Sequence, residues 1–251
     1  MKLKAAKIKS EKFQDDYFSS RGIKDSHYVN STLPRYMFGV LPENKNASIL
    51  DIGCGFGQML KSLKDNGYLN LHGVDINAKA VALCRSNGLE VEKIGNLSSF
   101  SRSHRKKYDF IIMSHVIEHL PKSEIISHLS IIRGKLLKPD GKFLAIVPNA
   151  QSNTGAYWAY EDFTHSTIFT TGSLIYVLKE SGFDEVKLID LDNLQQTRLV
   201  FRFVRRFLLS LYRFNYYFWN RVTLSSFHVP SPPSFGYEIK ALASGSSNSE
   251  N

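Results

Sequence analysis

Along residues 48–190, short apolar runs alternate with longer segments of helical period. The runs Ser48–Ile52, Leu71–Asp75, Gly88–Lys93, Tyr108–Met113, Lys142–Pro148 and Glu185–Asp190 have strand length, and the most continuous of them read as strands buried on both faces of a parallel sheet. Between them, Gln58–Asn66 closes on Gly67, and Asn77–Ser86 opens on an asparagine suited to an N-cap. Lys122–Leu137 carries Ile125, Ile126, Leu129, Ile132 and Leu136 at helical spacing and stops at the turn signal Lys138-Pro-Asp-Gly141. A further helix, Ser173–Glu180, precedes Gly182. Strand and helix in alternation predict an α/β protein with a mostly parallel central sheet and helices on both faces.

The flanks differ in character. Residues 1–45 predict a helical cap, with Asp15–Arg21 and Pro34–Leu41 as two short aromatic-faced helices over the ligand cleft. The main domain spans 46–192 and carries an insertion at 149–171 rich in Tyr, Trp, Thr and His. Residues 193–228 hold the longest helical stretch, Gln195–Val222. A proline-rich link, Val229–Ser234, leads to a last strand, Tyr237–Ala243, within 229–243, and the Ser/Gly/Asn-rich residues 244–251 are expected to be disordered.

The first strand carries the most informative residues. Ser48-Ile-Leu-Asp-Ile-Gly-Cys-Gly-Phe-Gly57 is an apolar run with an acid, followed by three glycines spaced two apart, which suits a strand turning tightly against a ligand. A dinucleotide fingerprint needs G-x-G-x-x-G, and Gln58 stands where its last glycine belongs. Asp51 would also repel a pyrophosphate, whereas it attracts an ammonium or sulfonium centre. A second strand ends in Asp75, roughly 20 residues on, where α/β nucleotide folds place the carboxylate for ribose hydroxyls. Two acids and three glycines in this order resemble the cofactor loop of the Rossmann-like class I S-adenosyl-L-methionine (SAM) dependent methyltransferases.

That resemblance implies a Rossmann-like methyltransferase fold with an antiparallel final strand and SAM as cofactor. It implies cofactor contacts from Asp51, Gly53, Gly55, Gly57, Asp75 and the adjacent Ile76, and from Asn96 and Leu97, where an amide replaces the family's usual adenine-binding acid. It also implies contacts from Ser114 and His115 at the end of the fourth strand, and an aromatic, Tyr17, closing over the methionine end. Ligands meet such sheets at the carboxyl ends of strands, so the site faces His115, Glu118 and His119. His115-Val-Ile-Glu-His119 also matches the inverted zinc-peptidase signature H-x-x-E-H. That chemistry needs a long helix, but a strand ends just before the motif and Pro121 follows it, so no metal is expected. Glu118-His-Leu-Pro121 instead resembles a segment many SAM enzymes carry after strand four.

In the insertion, Glu161-Asp-Phe-Thr-His165, Phe169-Thr-Thr-Gly-Ser-Leu174 and Ser181-Gly-Phe183 resemble methyltransferases of bacterial surface-polysaccharide synthesis, including O-antigen and lipopolysaccharide. The resemblance spans roughly residues 45–190 and implies methyl transfer to a sugar hydroxyl of a glycan precursor. His165 is the first choice of base, with Asp162 or Glu161 orienting it, and His119 is the runner-up. Tyr157, Trp158 and Tyr160 suit stacking on a sugar ring. A hydrophobic phenol such as a quinone precursor is the alternative acceptor, and a non-catalytic SAM-binding membrane scaffold is the reading from another class.

Charge refines the partners. The chain carries a net +9, and its two cysteines, Cys54 and Cys84, give no disulfide framework. With no signal-peptide core in Met1–Ser10, the protein is expected in the cytoplasm. Nucleic acid is not the expected partner: the basic run Arg102–Lys107 has no interleaved aromatics, and the N/D-P-P-Y/F segment of amino-methylating nucleic-acid enzymes is missing after strand four. Past Asp192 no acid occurs before Glu238, while six arginines do. In 195–222 the arginines Arg198, Arg202, Arg205, Arg206 and Arg213 share one helical face, opposite Phe203, Phe207, Leu211, Phe214 and Phe218. Too interrupted to span a bilayer, this helix is expected to lie on an anionic membrane, arginines toward the headgroups.

Overall fold

The structure, a computed structural model, describes residues 32–195, 198–225 and 232–245. Tyr17 and the first expected cap helix lie outside them, as do the residues after Gly245. Seven strands form one sheet in the order β3-β2-β1-β4-β5-β7-β6. They are β1 Ser48–Ile52, β2 Asn70–Asp75, β3 Val91–Lys93, β4 Tyr108–Ser114, β5 Leu137–Pro148, β6 Glu185–Ile189 and β7 Glu238–Ser244. β1 to β5 are parallel, and β7 runs antiparallel to both β5 and β6, as expected.

Alternation along the strands sends side chains to both faces of the sheet. Leu50, Ile52, Ile111, Met113, Phe143 and Ala145 pack against helices α3 (Leu97–Ser103), α4 (Ile125–Ile131) and α6 (Thr171–Glu180). Ile49, Phe110, Ile112, Leu144 and Ile146 form the other face with Leu63 of helix α1 (Gln58–Asp65) and with Leu33, Tyr36 and Met37. Arg35–Gly39 is thus a 3-10 turn packed into the core by Tyr36 and Met37. Helix α2 (Ala78–Ser86) is capped by the Asn77 side chain, which accepts the Ala80 N–H at 3.0 Å.

Other boundaries moved. The expected helix to Leu137 is α-helical only to Ile131 and then widens into a π turn, Ile132–Leu136. Lys138-Pro-Asp-Gly141 lies inside β5, where the ladder to β4 shifts register between Tyr108 and Phe110. The insertion contains helix α5 (Gly155–Glu161), and the long helix α7 runs Leu199–Val222.

α7 rests on the domain by its arginine side. Arg213 pairs with Asp192 at 3.0 Å, and Arg205 donates to the Asn193 and Asp192 carbonyls at 2.8 Å each. This corrects the expected orientation, because two of the arginines assigned to headgroups anchor the helix instead. Phe203, Phe207, Phe214 and Trp219 face outward and are more than half exposed. No described helix is long and apolar enough to cross a membrane.

Candidate active site

The cofactor half grows from the ends of β1 and β2. Gly53, Gly55 and Gly57 have φ of 72°, 51° and 80°, in the left-handed region that side chains avoid. Space forbids them as well: a Cβ on Gly53 would lie 2.3 Å from Val116 Cγ2, and one on Gly57 2.5 Å from Leu89 Cδ1. The buried Asp75 carboxylate braces the loop, accepting the Gly55 N–H at 2.8 Å and the Asn77 N–H at 2.7 Å. Burial raises the Asp75 carboxyl, against the pull of its backbone donors. Burial, and then the charge of Asp75, pushes Asp51 up to about 7. Two buried acids beside a strained glycine loop suit a cationic ligand with ribose hydroxyls, and these residues fit SAM.

Other expected cofactor residues take varied places. Ile76 is exposed beside Asp75, Leu97 is buried, and Ser114 ends β4 half-buried. Asn96 does not offer its carbonyl oxygen outright: Oδ1 caps α3 by accepting the Ser99 N–H at 2.8 Å. His115 has φ 54° and bridges two buried carboxylates, Glu118 and Glu238, at 3.3 Å each. Burial lowers its basicity, but the two acids outweigh that and hold His115 up near about 9.

A second cluster of polar side chains forms where the insertion lies against the turn after β4. Ser166 and Thr167 donate their N–H groups to the Glu118 carbonyl at 2.8 and 3.2 Å, which brings the rings of His119 and His165 to 4.7 Å between centroids. His165 Nδ1 lies 2.6 Å from the Trp158 carbonyl and must donate there, leaving Nε2 as the basic nitrogen. Asp162 does not orient His165 as expected, since its Oδ2 lies 3.8 Å from Nε2, too far for a hydrogen bond. It acts through Thr164: the Thr164 hydroxyl donates to Asp162 at 2.6 Å and so accepts from His119 Nδ1 at 2.8 Å. Burial lowers the pKa of His119, which favours its neutral form.

His115, His119, Asp162 and His165, with Pro148, Trp158 and Tyr237, line a pocket of about 150 Å³. Tyr157 and Tyr160 are exposed on α5 and do not line it. Thr164, Tyr237 and Glu238 were not singled out from the sequence. Antiparallel pairing of Pro148 with Glu238 brings the start of β7 to the carboxyl end of β5. An acid and a tyrosine opening a last strand were the available signal.

The sheet order, glycine loop and paired acids define the class: a Rossmann-like SAM-dependent methyltransferase fold. Residues 25–188 match the family described as "Methyltransferase domain". The chain belongs to that family, and its cofactor is S-adenosyl-L-methionine. It is 30% identical over 102 residues to a ubiquinone biosynthesis O-methyltransferase of Hydrogenovibrio crunogenus, a match covering 39% of this chain and 41% of that protein. The chain thus spans about two fifths of that curated relative's length. A SAM-dependent methyltransferase of Archaeoglobus fulgidus shares the fold at TM-score 0.56 and 24% identity, over 79% of this chain and 86% of that one. DhpI, solved with SAH, aligns at TM-score 0.56 and 12% identity over 94% and 95%.

Proposed function

We propose that the protein is a SAM-dependent O-methyltransferase acting on a sugar hydroxyl of a lipid-linked or nucleotide-activated precursor of a bacterial surface glycan. The observation that carries this reading is the His119–His165 pair lining a pocket walled by Trp158 and Tyr237. Trp158 and Tyr237 offer ring faces, and Asp162 and the histidines offer polar contacts, the mixture a sugar ring needs. SAM supplies, when bound, a methyl group already activated by its sulfonium.

The chain's own residues align and deprotonate. The glycine loop, Asp51 and Asp75 hold the cofactor, and alignment of two partners is worth many kcal/mol of barrier. His165 takes the proton of the acceptor hydroxyl at Nε2, and Trp158 fixes its tautomer through Nδ1. His119, braced by Thr164 and Asp162, stands beside it. Replacing His165 by Ala should lower turnover on the order of 10²-fold or more while SAM affinity is kept. Full activity in that variant would remove His165 from the reaction.

A second acceptor class, the phenol of a quinone precursor, is favoured by the similarity to a ubiquinone biosynthesis O-methyltransferase. Comparing turnover on glycan and prenylated phenol acceptors separates the two. Either acceptor can reside at a membrane, and α7 suits that setting: Phe203, Phe207 and Phe214 are exposed for the acyl boundary, and Arg206 and Arg221 are exposed for headgroups. Flotation with anionic vesicles should exceed flotation with neutral ones and fall when Phe203, Phe207 and Phe214 become Ser. Equal flotation in all arms would reject the membrane role and point to a second copy as the occupant of this face.

A further inference from the structure

Among the described residues, Glu118 is the acid whose two carboxylate oxygens are both buried without a hydrogen bond. Its side chain is 0% exposed, and neither carboxylate oxygen has a hydrogen bond. Its ion pair with His115, at 3.3 Å, engages a residue that also faces Glu238 at the same distance. A buried carboxylate that shares one imidazole with a second acid and accepts no hydrogen bond is under-satisfied, and an ion is one group that would satisfy it.

The groups beside it are those an ion would require. One ligand atom each from Glu118, His119 and His165 lie within 4.8 Å of one another. Each histidine is already turned by a partner at its other nitrogen, His165 by the Trp158 carbonyl at 2.6 Å and His119 by the Thr164 hydroxyl at 2.8 Å. Metal-binding histidines are held in this way, with Nδ1–H on a carbonyl or an acid-linked group and Nε2 presented to the ion. Behind Thr164, Asp162 completes an acid–hydroxyl–histidine chain.

We propose that Glu118, His119 and His165 form a binding site for one divalent transition-metal ion of the zinc class. Two imidazoles and one carboxylate are a three-ligand set that leaves a fourth position open, and two of the three ligands, His119 and His165, line the pocket. Hard ions such as magnesium prefer all-oxygen sites and are poorly matched to two imidazoles. The set is not that of the zinc-peptidase motif, which would use His115 and His119 as ligands. Here His115 is turned to Glu118 and Glu238, and Glu118 takes the ligand's place. Closing the three groups onto one ion needs their donor atoms to approach about 3.3 Å spacing, the edge of a tetrahedron with bonds near 2.0 Å.

The proposal rests on the acceptor-site reading only for what the ion would do there. An acceptor hydroxyl in the open position would lose its proton more readily, the proton passing to water, and His165 would then serve as ligand instead of base. Binding itself can be measured without turnover.

The test uses the full chain, stripped with a chelator and titrated with zinc by calorimetry and with cobalt by visible spectroscopy. The expected result is one ion per chain and the intense visible bands of a tetrahedral cobalt site. Glu118→Gln and His165→Gln should each weaken binding by at least the roughly 100-fold that loss of a supporting partner costs. Glu118→Gln removes a buried charge and should fold, which circular dichroism verifies. Absence of binding in the parent, or binding in both variants as tight as in the parent, would overturn the site. A chain that binds no ion but methylates its acceptor overturns the metal and leaves the methyltransferase reading intact. A chain that binds the ion but methylates nothing does the reverse.

Discussion

Gly53 couples the cofactor loop to the turn that carries the histidines, and a single methyl group tests that coupling. Gly53→Ala forces alanine to φ 72° and drives its Cβ to 2.3 Å from Val116 Cγ2, well inside contact. The left-handed backbone costs about 1–2 kcal/mol, and forcing a methyl into packed surroundings about 1–3 kcal/mol. Together they predict a loss of about 2–5 kcal/mol, or roughly 4–20 °C in melting temperature for a domain of this size. Val116→Ala removes both atoms beyond Cβ and so the clash, but leaves the backbone strain. The double variant Gly53→Ala/Val116→Ala should therefore be more stable than the sum of the single losses by about 1–3 kcal/mol. Urea denaturation of the four proteins gives the cycle, and SAM calorimetry on the same set shows whether the loop recovers its function. Strict additivity, within about 0.5 kcal/mol, would refute the steric link between Gly53 and Val116.

Asp75→Ala should weaken SAM binding by about 2–3 kcal/mol, the scale of a charged hydrogen-bonding partner, and unchanged affinity by calorimetry in the folded variant would sink its cofactor role. Asp51, raised from the ordinary 3.8 to about 7, binds its proton more tightly in the folded chain than in the unfolded one, so its contribution to stability falls as pH rises through that window. A cationic cofactor favours the ionised form, so the thermal shift produced by SAM should grow from about pH 6 to about pH 8, and Asp51→Asn should flatten that rise. A parent protein with the same shift at both ends would refute it. Lys240, fully buried, meets Glu238 at 3.0 Å and Asp190 at 3.5 Å and bonds to Asn193. Lys240→Met would strand two buried acids, and chemical denaturation should report a loss of about 3–5 kcal/mol.

The glycine loop and its two buried acids were legible because their pattern is local. Asp51, the three glycines and Asp75 sit at strand ends whose order along the chain already matches their order in space, and short-range patterns carry that information. The Asn77 cap was visible for the same reason. The acceptor half depends on contacts the chain makes at long separation. His165 could be nominated from its motif, but its orienting group is a carbonyl on α5, a helix the sequence hid behind Gly155 and a run of aromatics. Asp162 was nominated for His165, which it meets at 3.8 Å, but its bond to His119 through Thr164 is a matter of three-dimensional bonding that the sequence did not show. Asn96 shows a local rule competing with a functional one: the same asparagine that could meet adenine is also a good N-cap. Along α7 the periodicity revealed the two faces, but which of them met the protein was settled by Asp192 and Asn193, outside the helix.

β7 has a consequence for how the protein is made. Among the described residues, β6 pairs only with β7, and β5 meets no other strand on that side. Until Glu238–Ser244 emerges from the ribosome, the nascent chain carries an open sheet edge at β5 and a strand without a neighbour, both sticky in the sense that edge strands are. The same seven residues deliver Glu238 to His115, next to Tyr237 in the pocket wall, and Lys240 to its buried acids. Closing the sheet and finishing the pocket are one event. A chain that stops short of β7 would thus lack both the pairing that covers the β5 edge and the Tyr237 side of the pocket wall.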